Sequence, residues 1–304
     1  MSVRIFSHPS SLKHLNDQDH PEAPSRLHAI NDQLLSSGLD YVLQHQTARA
    51  ATDEELELAH DAGYIQWVIK QHPSDGVVWL DGDTQMMKHS LNAARHAAGA
   101  GLDAVDWVMA DTQRRAFCAV RPPGHHATAF EAMGFCVFNN IAVAARYACS
   151  KYQLQRVAIV DFDVHHGNGT EQILTNDPRV MFCSSFEHPF YPFPDLSEHP
   201  QLLKMPLPAN SDGQLFRRLF SEKWQPALAA FQPQLVLVSA GFDAHSEDDM
   251  GHLRWSDADY QWIGTQLREI ADKTSHGRIV AMLEGGYAHS ALGRSVVSFI
   301  RGWI

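Results

Sequence analysis

Asp163 and His165 stand two positions apart in Val157-Ala-Ile-Val-Asp161-Phe-Asp163-Val-His165-His166-Gly167-Asn168-Gly169. On extended backbone, residues i and i+2 point to the same face, so a carboxylate oxygen and an imidazole nitrogen can converge on one metal ion. Asp243, in Ala240-Gly241-Phe242-Asp243-Ala244-His245, is the natural third ligand. Three protein ligands with a position left for water is the pattern of a catalytic metal; structural zinc is closed by four Cys or His. Two carboxylates offset the charge of a dication. A metal so held would polarise a carbonyl and lower the pKa of its water towards about 7. Zinc is the first choice and iron(II) the alternative, because an oxygen-rich ligand set discriminates weakly between divalent ions.

A second cluster, Arg121-Pro-Pro-Gly-His125-His126-Ala127, places two adjacent imidazoles after a rigid turn. Neighbouring imidazoles do not both protonate readily, so their pKa values should separate. One can serve as a general base towards water; the other can act electrostatically or protonate a leaving amine. Each needs an orienting acceptor on its second nitrogen, and Asp161 and Asn168 are the candidates. A third cluster is Glu284-Gly285-Gly286-Tyr287. The two glycines let substrate come close to the backbone, and the Tyr287 hydroxyl can donate to a developing oxyanion.

These clusters need a frame that brings them to one place. Short apolar runs at Val3–Phe6, Ala116–Val120, Val157–Val160, Val180–Cys183, Leu235–Ser239 and Ile279–Leu283 read as strands. Helical stretches lie between them. Thr52-Asp-Glu-Glu55 is a capping box for a helix running to about Lys70. Ser25 and Ser256 are N-caps for Arg26–Ser37 and Asp257–Lys273, with Gly38 as a C-terminal stop. Lys88–Ala110, Ile141–Tyr152, Gly213–Phe231 and Ser290–Ile304 also read as helices. The alternation implies an α/β fold with a mainly parallel sheet and helices on both faces. In such folds ligands bind beyond the carboxyl ends of the strands. Four strands run into clusters of His, Asp or Tyr flanked by Gly, as that rule requires of a site.

The chain has 304 residues, 44% of them hydrophobic, enough for one large core, and we expect residues 1–304 to be a single domain. A net charge of −11 argues against binding nucleic acid, which calls for a basic face. The four cysteines form no Cys-x-x-Cys pair, no apolar run reaches the length of a membrane span, and Met1-Ser-Val-Arg-Ile is not a signal peptide. A reducing, cytoplasmic setting is expected.

Taken in order from His20-Pro-Glu22 and Arg26-Leu27 to Tyr287, the motifs resemble the histone deacetylase superfamily, which includes bacterial acetylpolyamine amidohydrolases. They include the two His-rich clusters, Gly134-Phe-Cys136, Ser239-Ala-Gly-Phe-Asp243 and Glu284-Gly-Gly-Tyr287. The resemblance implies an arginase-like three-layer α/β fold and zinc-dependent hydrolysis of an N-acyl amide. It places zinc on Asp163, His165 and Asp243, makes His126 the general base, and pairs His125 with Asp161. It pairs His126 with Asn168, an Asn as in the class II branch, and makes Tyr287 the catalytic tyrosine. It further implies a monovalent cation, potassium, at Asp161, Asp163, His165, Ser184 and Ser185.

Gly134 and Phe135 would form one wall of an acyl-lysine tunnel. Tyr191, in Phe190-Tyr-Pro192, replaces the usual second Phe of the other wall. Met250 stands where polyamine-directed members carry a gatekeeping Glu, and weighs against a polyamine. Asp81 and Asp83 fall where family members grip the substrate backbone, although a turn with an Asp cap is the preferred reading. The expected substrate is an acetylated lysine of a protein or peptide. An acetylated polyamine or other small amide is the alternative, and self-association that narrows the entrance would favour it. A non-catalytic binding protein would show a damaged site, and a binuclear arginase-type centre would need more bridging carboxylates.

Overall fold

The computed structural model describes residues 2–304. The described residues form ten strands: β1 (Ser2–Ser7), β2 (Gln44–Thr47), β3 (Val78–Trp79), β4 (Gln85–Met86), β5 (Arg114–Cys118), β6 (Val157–Asp161), β7 (Val180–Glu187), β8 (Leu202–Leu207), β9 (Leu235–Ala240) and β10 (Ile279–Leu283). Eight form one sheet in the order β2-β1-β5-β10-β9-β6-β7-β8, every pairing parallel. β3 and β4 make a separate small hairpin.

The central strands are apolar throughout because both sheet faces are covered. Along β6, Val157 and Ile159 pack into one core and Ala158 and Val160 into the other. The first core takes the helices Ala62–Gln71, Ser90–Met109 and Asn140–Lys151. The second takes Ser25–Ser36, Asp257–Thr274 and His289–Arg301 with the aromatic cluster Phe216, Phe220, Trp224 and Trp255. The result is the three-layer α/β arrangement expected, of the arginase/deacetylase kind. No described helix is long and apolar enough to cross a membrane.

Several local expectations are corrected. The helix from Thr52 stops after Asp53–Leu56 and a new one opens at Ala62. Asp61 is the cause of the restart: its carboxylate accepts the Gly63 and Tyr64 N–H groups at 2.8 and 3.3 Å. Ser25 is the first helical residue after Pro24 rather than the cap, and its hydroxyl meets His289 Nε2 at 3.0 Å. The Gly213–Phe231 helix is interrupted by a π turn at Phe220–Trp224, just before Pro226, which has no N–H to continue the ladder. The strand expected at Ala116–Val120 lies at Arg114–Cys118. β2, β3, β4 and β8 were not expected; β2 is exposed and polar and carries no apolar signal. The Ser256 N-cap and the left-handed Gly38 stop are as expected, and Ser256 adds a capping box with Asp259.

Candidate active site and metal centre

The four strands whose ends carry the polar clusters, β5, β10, β9 and β6, are consecutive in the middle of the sheet. Parallel register delivers their carboxyl ends to one edge, with Asp161 beside Ser239 and Leu283 beside Ala240. The loops that follow meet in a cavity of about 280 Å³, lined by His125, His126, Asp163, His165 and Tyr287 together with Gly134, Phe135, Phe190, Tyr191, Met250 and Gly285.

Asp163, His165 and Asp243 are buried, and their ligand atoms lie within 4.8 Å of one another. His165 Nδ1 is 3.1 Å from Asp163 Oδ1 and 3.5 Å from Asp243 Oδ2. Backbone donors fix the other carboxylate oxygens: Gly285 N–H binds Asp163 Oδ2 at 2.8 Å, and Val164 N–H binds Asp243 Oδ1 at 2.9 Å. Asp243 Oδ2 is buried with no hydrogen-bond partner. Burial, then the charge of Asp163, pushes the Asp243 carboxyl up to about 7. A buried orphan oxygen in an excess of negative charge fits a cation, and two carboxylates with one imidazole form a suitable donor set for a divalent one. The backbone makes room for that geometry at Gly285, where a Cβ would lie 1.9 Å from Asp243 Oδ2.

The histidine pair sits beside this group with ring centroids 4.0 Å apart. His125 Nδ1 lies 2.9 Å from Asp161 Oδ2, and His126 Nδ1 lies 2.7 Å from Asn168 Oδ1. The two environments separate the pair. Burial opposes charge on His125, but the Asp161 and Asp163 carboxylates outweigh it and raise its pKa to about 10. Burial, followed by His125 and His165, holds His126 well below its ordinary value. His126 is therefore the neutral imidazole, with Nε2 free to accept a proton while Nδ1–H donates to Asn168. Gly134, at φ +56°, lies flat against this ring; a Cβ there would come 2.5 Å from His126 Cδ2.

Tyr287 closes the site from the other side. Its backbone N–H donates to Asp248 Oδ2 at 2.6 Å, Phe135 meets its ring edge-on at 6.1 Å, and the Arg26 guanidinium lies 4.8 Å from its centroid. Burial raises the phenol pKa, so the hydroxyl remains a donor. Phe190 stacks on His165 at 5.5 Å, and Tyr191 meets His126 and His165 edge-on at 5.4 and 5.8 Å. Ser184 and Ser185 are buried on β7; the Ser184 hydroxyl is 2.8 Å from His166 Nδ1, and Ser185 Oγ has no partner. Gly286, at φ +115°, passes its carbonyl to Arg26 Nε at 2.6 Å.

All the sequence-predicted residues thus gather at one end of the sheet. Asp81 is the turn cap expected, accepting the Asp83 and Thr84 N–H groups at 3.0 and 2.6 Å. Asp83 does more: it lines the cavity and accepts Gly134 N–H at 3.1 Å. Sequence reasoning missed several supporting groups. Arg26 and Arg121 share the buried carboxylate of Glu22 behind Tyr287; all three stand in the motifs Arg26-Leu27, Arg121-Pro-Pro-Gly and His20-Pro-Glu22, but nothing in the sequence ties them together. Glu284 Oε2 accepts the Gly124 and His125 N–H groups at 2.7 and 3.1 Å, setting the histidine loop. Asn139 Nδ2 donates to Ala127 O at 2.9 Å, and His60 Nε2 accepts Asn139 N–H at 2.8 Å. Phe190 and Asp249 complete the cavity lining.

Residues 20–303 match the family of the histone deacetylase domain. The chain is 34% identical to histone deacetylase 14, chloroplastic, of Arabidopsis thaliana, with 98% of this chain and 75% of that protein covered. It is 37% identical to polyamine deacetylase HDAC10 of Mus musculus, covering 92% of this chain and 44% of that one. The crystal structure of an HDA15 HD domain superposes with a TM-score of 0.92 at 30% identity, over 99% of this chain and 88% of that one.

Proposed function

The chain belongs to the histone deacetylase family, and on that premise we propose that it is a zinc-dependent deacylase, with residues 1–304 as one catalytic domain. It hydrolyses an N-acetyl amide to free amine and carboxylate, and its substrate is acetyl-lysine of a protein or peptide. The observation that carries this reading is the meeting of Asp163, His165, Asp243, His125, His126 and Tyr287 around a single cavity.

Asp163, His165 Nδ1 and Asp243 would hold the metal, zinc first and iron(II) as the alternative the oxygen-rich set admits. When bound, the metal supplies Lewis-acid polarisation of the amide carbonyl and a more acidic water. His126, neutral and aimed by Asn168, takes the proton of the attacking water. His125, charged against Asp161, stabilises the negative charge that develops and can return a proton to the departing amine. Tyr287 donates to the amide oxygen as it becomes an oxyanion. Gly134, Phe135, Phe190 and Tyr191 exclude water from the acyl-lysine stem.

Potassium is assigned to Asp161, Asp163, His165, Ser184 and Ser185, supported by their burial and by the orphan Ser185 hydroxyl. Four free, buried cysteines suit a reducing compartment, and we assign the cytoplasm. An acetylpolyamine is the second reading, favoured by the Asp83 and Asp249 carboxylates at the cavity wall. The test is hydrolysis of a fluorogenic acetyl-lysine peptide beside acetylated polyamines. Peptide turnover should fall about 10²–10³-fold in Tyr287→Phe and vanish in Asp163→Ala. Full activity in either variant refutes the assignments.

A further inference from the structure

Beside the active-site cavity lies a second groove of about 480 Å³, lined by Trp67, Leu80, Asp81, Phe130, Glu131, Ala132 and Met133. Two large aromatics are left at its surface, Trp67 at 39% and Phe130 at 59% exposure. Two exposed aromatics that share one groove leave apolar surface there for a partner to cover.

The groove and the cavity are built from the same two segments. In the 130–135 segment, Met133 lines the groove and the next residue, Gly134, lines the cavity. In the 80–84 turn, Asp81 faces the groove and Asp83 the cavity. The segments are clamped together: Gly134 N–H donates to Asp83 Oδ1 and Phe135 N–H to Thr84 Oγ1, both at 3.1 Å. Consecutive Cα atoms are about 3.8 Å apart, so the wall residues of the two spaces are immediate neighbours along the chain.

The electrostatics of the two spaces run the same way. Asp81, Asp83, Glu131 and Asp249 line them, and no Lys or Arg does. The Glu131 carboxylate takes no hydrogen bond or ion pair among the described residues. Burial and the neighbouring Asp81 raise the pKa of Asp83, as expected where carboxylates crowd without a cation. An aromatic face beside an unpaired carboxylate is complementary to an organic cation. At about 480 Å³ against about 280 Å³ for the cavity, the groove has room for a flanking side chain in addition to the acetyl-lysine that the cavity takes.

Resting on the deacylase reading, we propose that this groove is a specificity subsite for a Lys or Arg side chain flanking the acetylated lysine of a peptide substrate. The flanking cation lies over Trp67 and Phe130 and is neutralised by Glu131, while the acetyl-lysine enters the cavity. None of these groove residues takes part in the chemistry, so they act on KM and leave kcat alone.

The experiment scans Arg, Ala and Glu through the three positions on each side of acetyl-lysine, with an acetyl-lysine amide lacking flanking residues as the minimal substrate. At one position or more, Arg should exceed Glu by about tenfold in kcat/KM, through KM, with the preference shrinking in salt. Glu131→Gln and Phe130→Ala should reduce that preference to about threefold or less, leaving the minimal substrate unchanged. Equal rates for Arg, Ala and Glu everywhere, or a preference untouched by both variants, overturn the proposal. So does a KM increase in Glu131→Gln that is confined to acetylated polyamines. Inactivity of the wild type on the minimal substrate and on every flanked peptide would instead refute the deacylase reading. In that case equilibrium binding of fluorescein-labelled Arg- and Glu-flanked peptides still decides the groove, by tighter or equal binding of the Arg peptide.

Discussion

Replacing Gly285 by alanine places a methyl group directly on the proposed metal ligands. The new Cβ would stand 1.9 Å from Asp243 Oδ2 and 2.6 Å from Asp163 Oδ2. Ordinary contact begins near 3.4 Å, so the Asp243 oxygen must retreat by about 1.5 Å. A Cβ has no rotamer to escape into. The carboxylates are pinned as well, Asp243 Oδ1 by Val164 N–H at 2.9 Å and Asp163 Oδ2 by the Gly285 N–H itself at 2.8 Å. Disturbing even the partners that orient a ligand costs about 10–100-fold in metal affinity, so displacing the ligand should cost at least about 100-fold, or roughly 2.8 kcal/mol. Zinc affinity measured by competition with a chromogenic chelator reads this directly. Gly82→Ala is the control, because nothing lies within 4 Å of its Cβ. Wild-type zinc affinity in Gly285→Ala would refute the placement of the metal between Asp163 and Asp243.

Asn168 orients His126 without touching substrate, so Asn168→Ala should lower kcat about 10–100-fold. Asn168→Asp should restore much of it and move the acidic limb of the pH–rate profile upward, because a carboxylate on Nδ1 favours the charged ring; an unmoved profile in both contradicts the role. His60 is buried as the neutral ring, Nδ1 donating to Thr128 O at 2.9 Å and Nε2 accepting from Asn139, and burial lowers its pKa from 6.5 to about 4. The folded state then binds fewer protons than the unfolded one between these values, so stability is full above pH 6.5 and falls by up to about 3 kcal/mol as pH drops towards 4. Denaturant titrations of wild type against His60→Gln isolate that slope, and parallel pH dependences would exclude it. Glu22→Gln leaves the buried Arg26 and Arg121 without their shared carboxylate and should cost about 3–5 kcal/mol of stability, read by denaturant unfolding.

The centre of the sheet was legible because burial on both faces makes β6, β9 and β10 continuous apolar runs, each ending in a change to polar residues. The same contrast marked Asp163, His165, Asp243 and the histidine pair, since ligand-type residues packed between glycines at a strand end are costly unless they are used. The edge strand β2 was invisible, because its Gln-His-Gln-Thr is exposed and held by backbone pairing to β1. The break at Asp61 was missed for a different reason: Thr52 and Asp61 are both good caps, and a continuous helical pattern hides that the second opens a new helix through its own carboxylate bonds. Around the site, what escaped was the support reaching across sequence. Arg121 and Glu22 are 99 positions apart and Glu284 and Gly124 are 160 apart, and no local pattern ties them. Phe190 was hidden by its neighbour, since Tyr191 alone matched the expected tunnel wall, yet both rings pack on His165.

The central claim is that Asp163, His165 and Asp243 hold a metal required for amide hydrolysis. Chelator-stripped protein, titrated with zinc, should regain release of free lysine amine from an acetyl-lysine peptide at one equivalent, whereas Asp243→Asn treated identically should not. Undiminished activity after verified removal of the metal, or full recovery by Asp243→Asn at one equivalent of zinc, would contradict it.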